Sequence, residues 1–414
     1  MRRLFITLAL CAGLVAGLAA SGSAQVKITY WAGWFNELHQ QAELAIIEDF
    51  MRQNPDIEVE FVHMSNPWEQ IPIGHATGVI GDVVISSRDD FPNWQEIGVF
   101  RDLTPWLERD PDFVDAFVPQ LMPLFQSPDG RQFGLPFAAN GRGLTRYNRG
   151  LFDEFGIPHP GLEPWTWDEL TENASKLVAY DAEGKIIREG IQIGTHPMTI
   201  WTWFWSNGTD LFTPDFKQST VNTAEVAETL QFLQDLVHVY RVAAPPSAAT
   251  SSAISLGHGP WAFQGWRTNY LAGTGPDYGI MWNPYNGEYK RTAMIGGSGM
   301  HVAARSRHPE EAWRLLQYLV SEEAQWRRFL EGYGTGSLRT HLADARAYED
   351  SPIPEPRELY WQVFEYGLPQ PTFPRYREWA GPFQQYLNQA LEGQISVEEA
   401  LLQIDHMTRV LLGN

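Results

Sequence analysis

The side chains of this chain best suited to chemistry are carboxylates, amides and indoles. Asp89 and Asp90 stand together just after the apolar burst Val83-Val84-Ile85. Two carboxylates can cleave a glycosidic bond when they are held at a defined separation. Neighbouring residues on a strand or loop point apart, so this pair is better placed to accept hydrogen bonds from hydroxyl groups or to cap a turn. Gly296-Gly297-Ser298-Gly299-Met300 approaches the turn that exposes a nucleophilic serine, but Met300 stands where its last glycine is required. There is no His-Glu-x-x-His, no phosphate-cradling glycine loop and no dinucleotide fingerprint. The eleven histidines are dispersed and show no metal-ligand spacing. The single cysteine, Cys11, lies in an apolar N-terminal run, so the rest of the chain has no thiol for a disulfide, a zinc site or a nucleophile. No catalytic residue, metal or cofactor is expected, and the chain reads as a non-enzyme.

What remains is binding. Seventeen tryptophans exceed what core packing needs, and some of these amphipathic plates are expected to face a ligand. Thirty basic residues against fifty acidic ones give a net charge of -20, which repels phosphate backbones and argues against nucleic-acid partners. At 43% hydrophobic residues with scattered charges, the chain is not disordered.

These side chains need a scaffold, and its elements are legible. Arg2 and Arg3 precede an uncharged apolar run from Leu4 to Ala20, and Gly22-Ser23-Ala24 supplies small residues, the pattern of a secretory signal cleaved after Ala24. Leu10 is too bulky to make Cys11 a lipidation site, so a lipid anchor is not expected. Val26 to Trp34 reads as a strand, and Leu38, Ala42, Ala45, Ile46 and Phe50 as a helix that Asn54-Pro55 stops. Ile57, Val59 and Phe61 alternate as a second strand. The Val83 strand ends in polar Ser87-Arg88-Asp89-Asp90, as strands of a parallel α/β sheet do where ligands sit. Thr166-Trp167-Asp168-Glu169 is a capping box, Asn222-Thr223-Ala224-Glu225 resembles one, Pro309 opens a helix, and Ser396 caps the last one. The small residues from Ala138 to Gly143 mark an interdomain crossing that can absorb rotation.

The order of several motifs resembles that of the family 1 extracellular solute-binding proteins, the class of the maltose-binding receptors. Gly81-Asp82-Val83-Val84, Gly134-Leu135-Pro136, Tyr147-Asn148-Arg149-Gly150-Leu151-Phe152 and Trp165-Thr166-Trp167-Asp168-Glu169-Leu170 are similar to its segments. Gly265-Trp266, the Gly296-Gly297 pair and Glu310-Glu311-Ala312-Trp313 follow in the family's order. The resemblance implies an α/β, two-lobe periplasmic-binding-protein fold of the Venus-flytrap, type II kind, with discontinuous lobes and hinge crossings. It implies a leader over 1–24, a first lobe over 25–138 and 293–342, a second lobe over 139–292, and C-terminal helices over 343–414 mainly in the second.

It also implies a function. Such a chain binds a sugar, a di- or oligosaccharide, between its lobes. It hands the sugar to the membrane permease subunits of an ABC importer, acting as an exported monomer in the periplasm or at the cell surface. Sugar edges suit planar hydrogen-bonding groups and sugar faces suit aromatic rings. From the first lobe Trp34, Trp68, Glu69, Ser87 and Asp89 are expected at the ligand, from the second Trp201, Trp203 and Trp266, and Asn140, four residues past Pro136, matches a position where the family places a polar ligand group. Gly296 and Gly297 would offer backbone N–H groups at close approach. Arg339 and Trp379 match family positions that meet sugar. Two alternatives stay open at this point: a receptor for a non-sugar solute such as glycerol-phosphate, for which only Arg88 and Arg339 lie in the anticipated cleft loops, and an exported carbohydrate-active enzyme.

Overall fold

Alternation along Val83-Val84-Ile85 builds the first layer of the fold. Val83 and Ile85 enter one hydrophobic cluster and Val84 enters another, because successive strand residues point to opposite faces of a sheet that is covered on both sides. The computed structural model describes residues 25–33, 37–258, 269–287, 289–290, 292–330 and 355–413. Among them are strands β1 (Val26–Gly33), β2 (Ile57–Met64), β3 (Val83–Ser87), β4 (Leu135–Arg142), β5 (Leu144–Asn148) and β6 (Ala179–Tyr180). The later strands are β7 (Ile186–Gln192), β8 (Ser251–His258), β9 (Tyr278–Trp282), β10 (Met294–Val302) and β11 (Leu368–Pro369).

Two sheets result, giving the α/β two-lobe architecture. The first runs β11-β10-β3-β1-β2, with β4 also paired to β10. Its β1 lies parallel to β2 and β3, whereas β10 runs antiparallel to β3 and β4. One face packs Ile28, Tyr30, Val83, Ile85, Met300 and Val302 against helices Glu37–Gln53 and Pro309–Leu319. The other carries Val84, Phe91, Trp94 and Phe125. The second sheet runs β6-β7-β8-β5-β9. Its core takes in helices Trp167–Leu177, Pro197–Trp205, Ala224–His238, Tyr376–Leu391 and Val397–Leu412.

The sheets are joined at adjacent crossings. β4 passes into β5 through Gly143, whose φ of +127° only glycine adopts readily, and a Cβ there would lie 2.6 Å from the Cα of Ala293. Ala293 belongs to the return segment between β9 and β10, so the two crossings touch at this point. A third follows β11, where the chain leaves the edge of β10 and enters the helix Tyr376–Leu391.

The start signals read from sequence hold locally. Thr166 and Glu169 make both bonds of the capping box, and the Thr223 and Ser396 side chains accept from Val226 N and Glu399 N. Thr223 caps alone; no reciprocal Glu bond accompanies it. The helix Pro309–Leu319 buries the expected stripe Ala312, Leu315, Leu316 and Leu319. Among the described residues no helix is long and apolar enough to cross a membrane.

Candidate functional site

Strand β3 delivers its last residues to the place where the lobes meet. Ser87 Oγ donates to Asp90 Oδ2 at 2.6 Å, a bond that folds the loop back and fixes the Asp90 carboxylate. Arg88 N–H donates to Gly297 O at 3.0 Å, tying the loop to hinge strand β10. Asp89 accepts from Gln370 Nε2, and Gln370 N–H donates to Ile295 O at 2.6 Å. Asp90, almost fully buried, receives both arms of the Arg377 fork, Nε to Oδ1 at 2.7 Å and Nη2 to Oδ2 at 3.1 Å. Two parallel charge-assisted bonds of this kind fix orientation as well as distance. The hydrogen bond to Asp90 raises the pKa of Arg377 above its ordinary value.

Arg377 also lies over the Trp68 ring, 5.7 Å from its centroid. Trp68 is 43% exposed and opens the helix Pro67–Thr77 immediately after β2. A single junction therefore gathers two carboxylates, an amide, a guanidinium and an accessible indole. The first lobe supplies Trp68, Ser87, Asp89 and Asp90; the hinge supplies Gln370; the helix Tyr376–Leu391 of the second lobe supplies Arg377. Such a set can hydrogen-bond the rim of a polyhydroxylated ring and cover its face. Among the described residues no group of three or more His, Cys, Asp or Glu side chains could hold a metal ion.

The sequence-derived candidates divide accordingly. Trp68, Ser87, Asp89, Gly296 and Gly297 come together at the junction. Asn140 pairs through its backbone with Gly296 in the hinge. Glu69, beside Trp68, is exposed in the first helical turn, and no hydrogen bond among the described residues joins it to the junction. Gly296 serves a different purpose from the one expected: a Cβ there would lie 2.4 Å from Gln370 Oε1, so the missing side chain makes room for Gln370. Trp34, Trp266 and Arg339 lie outside the described residues.

Three expectations are corrected. Trp201 and Trp379 are both 0% exposed, with ring centroids 5.4 Å apart in the core of the second lobe, and Trp203 is buried on the same helix as Trp201. Trp201 Nε1 donates to Asp210 at 2.8 Å and Trp379 Nε1 to Thr408 at 2.9 Å. Trp379 stacks on Phe383 at 4.4 Å. Trp201 and Trp379 are thus covered on their faces and satisfied at their N–H groups, and Trp203 is 1% exposed, so none of the three has surface left for a ligand. The helix Pro197–Trp205 buries nearly every side chain, which is why its tryptophans are core.

Sequence reasoning missed Gln370 and Arg377, and it read Asp90 as an acceptor for hydroxyl groups or a turn cap rather than as the partner of Arg377. One signal pointed to Arg377. In Tyr376–Leu391 the buried positions Tyr376, Trp379, Phe383 and Leu387 set the core face, and Arg377 falls off that face on an exposed flank of the helix. No local pattern marked Gln370.

A family model described as bacterial extracellular solute-binding protein matches residues 36–326. An arabinooligosaccharide-binding protein of Bacillus subtilis is 23% identical over 381 residues, covering 86% of this chain and 82% of its own. An ABC substrate-binding protein of Listeria monocytogenes, solved in complex with cycloalternan, superposes with a TM-score of 0.79 at 22% identity over 94% of this chain and 99% of its own. A cyclic alpha-maltosyl-1,6-maltose binding protein of Arthrobacter globiformis gives 0.78 at 22% identity over 94% and 99%. At these identities the structural likeness establishes the two-lobe fold.

Proposed function

The chain belongs to the bacterial extracellular solute-binding protein family, and on that premise we propose that it binds a sugar of di- or oligosaccharide size between its lobes and delivers it to the permease subunits of an ABC importer. The observation that carries this reading is the junction at the tip of β3. There Asp89 meets Gln370 of the hinge, and Asp90 and Trp68 meet Arg377 of the second lobe. Similar proteins named for arabino-oligosaccharides, or solved with a cyclic oligosaccharide, support a neutral, hydroxyl-rich ligand.

The family is exported. We place the processing site after Ala24 and treat the mature chain as a monomer, with the ATPase that powers import on separate polypeptides. The lobe boundaries follow the crossings at Gly143, between β9 and β10, and after β11. Ligand favours the closed arrangement by the difference in its affinity for the two arrangements. Catalysis is disfavoured by the junction itself. Both Asp90 oxygens bind Arg377 and Asp89 binds Gln370, so the adjacent carboxylates are structural and polar contacts rather than an acid and a nucleophile.

The test is mass spectrometry of whatever small molecule denaturation releases from natively purified protein. Calorimetry against neutral oligosaccharides and polyol phosphates, with X-ray scattering to follow compaction, completes it. A neutral oligosaccharide with micromolar or tighter affinity, about -8 kcal/mol, and a smaller radius when bound is the expected result. Binding of the phosphates alone, or turnover of the sugar, overturns the reading.

A further inference from the structure

A cavity lies beside the same loop. The Arg88 guanidinium lies over the Phe91 ring, 6.0 Å from its centroid. There it lines a cavity of about 500 Å³ together with Phe91 and Pro123 of the first lobe, Phe216 of a second-lobe loop, and Thr372 and Phe373 of the third crossing. A volume of this order suits a small organic molecule.

Two polar atoms at its wall are unpaid for by the protein. Arg88 Nε is shut off from solvent without a hydrogen-bond partner, and so is Thr372 Oγ1. Arg88 makes no side-chain hydrogen bond or ion pair among the described residues. A buried donor left unsatisfied costs about 1–3 kcal/mol, and more when it is charged. Two such atoms on one cavity call for an acceptor inside it. Burial lowers the Arg88 pKa to about 10, against the field of Asp89, so the guanidinium stays charged at neutral pH.

The remaining wall is apolar. Phe216 stacks on Phe373 with centroids 5.9 Å apart. Phe216 holds a φ of +56°, a left-handed conformation that bulky residues rarely adopt. Glu96 and Asp215 line the cavity as well, but both are exposed at its rim, where solvent and salt screen them from an anion inside.

We propose that this cavity is an accessory site for a small carboxylate with an aromatic or branched apolar body, its carboxylate on Arg88 and Thr372 and its body between Phe91, Phe216 and Phe373. The site is separate from the sugar junction and does not depend on the sugar reading. Both lobes line it, so its occupant is linked reciprocally to their relative position.

Calorimetry on the full chain without sugar tests this, with benzoate as the probe and benzyl alcohol as its neutral isostere. Benzoate is expected to bind at least tenfold more tightly than the alcohol. Arg88→Met should abolish that preference, and the near-isosteric Thr372→Val should weaken benzoate several-fold. Equal binding of the two probes by the wild-type chain, or a preference that survives in Arg88→Met, overturns the proposal. Because sugar is absent from every arm, failure here leaves the sugar reading untouched.

Discussion

Arg377 and Asp90 join the helix Tyr376–Leu391 of the second lobe to the loop after β3 of the first, with N···O distances of 2.7 and 3.1 Å. The pair does not act alone. Arg375, in a left-handed conformation at φ +68°, donates its backbone N–H to Asn93 Oδ1 at 2.9 Å, a second bond across the same seam. The geometry at this seam is thus set by fixed, directional contacts as well as by the crossing strands.

The pair yields a prediction about coupling between lobes. Asp90 is enclosed while half of the Arg377 side chain is open to solvent, so screening reduces what the contact is worth. A double-mutant cycle with Asp90→Asn and Arg377→Met should give a coupling energy of about 1 kcal/mol in urea unfolding. Additive single changes would remove the seam as a determinant of lobe geometry.

Gly143 supplies a sharper test of the hinge. Gly143→Ala must place a Cβ 2.6 Å from Ala293 Cα at a φ of +127°. Strain of that kind costs about 1–3 kcal/mol, before any movement of the neighbouring crossing is counted. The urea midpoint should fall accordingly, whereas Gly130→Ala, at a turn where an added Cβ meets nothing within 4 Å, should cost less. Equal losses would mean that the crossings do not constrain each other.

How far the sequence reached depended on whether a feature was local. The strand ends, the Thr166 capping box and the Pro309 helix follow from residues a few positions apart, and they were legible. Asp89 was legible for the same reason: a buried strand that ends in a polar loop announces an exposed tip. Trp379 misled because a family position was carried over before the periodicity around it was weighed. Its place on the Tyr376–Phe383–Leu387 stripe marks it as core, while Arg377, off that stripe, makes the contact. Gln370 was invisible because its role depends on a space left by Gly296, seventy-four positions earlier in the chain and adjacent only after folding.

Glu43 and Arg328 form an enclosed ion pair inside the first lobe, with side chains 0% and 3% exposed. Arg328 Nε and Nη2 donate to the two Glu43 oxygens, and Tyr30 OH donates to Oε2 at 3.4 Å. Removing one partner strands the other charge without water. Glu43→Ala should therefore destabilise the chain by about 3–5 kcal/mol in denaturant unfolding. The double change Glu43→Leu with Arg328→Met should recover much of that loss, since no charge is left buried. A loss below 1 kcal/mol for the single change would show that water reaches the pair.

His301 predicts a pH dependence of stability. It is fully buried, stacked on Phe100 at 3.9 Å, with Nδ1 donating to Phe133 O at 2.8 Å and Nε2 accepting from Ser86 Oγ at 2.7 Å. Burial lowers its pKa from 6.5 to about 3, with the Phe133 bond acting weakly in the opposite direction. Between those values the unfolded chain takes up a proton that the native chain refuses. Its contribution is therefore complete above pH 6.5 and is lost as pH falls towards 3, at up to ~1.4 kcal/mol per pH unit. In urea unfolding from pH 6.5 to 4, His301→Gln should show a slope shallower than wild type by about that amount. Parallel slopes would place the proton uptake elsewhere.

The assignment of the ligand junction rests most directly on a contrast between two tryptophans. Trp68 is 43% exposed, so Trp68→Ala should leave unfolding within about 0.5 kcal/mol of wild type. Its loss should weaken the co-purified sugar about tenfold, the equivalent of 1.4 kcal/mol of ring contact. Trp379 is the reverse case, sealed between Trp201 and Phe383 and bonded to Thr408. Trp379→Phe should cost about 1–3 kcal/mol of stability through lost packing and a lost N–H bond while leaving sugar affinity near its wild-type value. Calorimetry and urea unfolding on the same two variants give four numbers. If affinity tracks Trp379 rather than Trp68, the ligand does not sit at the tip of β3, because no ring enclosed in the second-lobe core can touch it there.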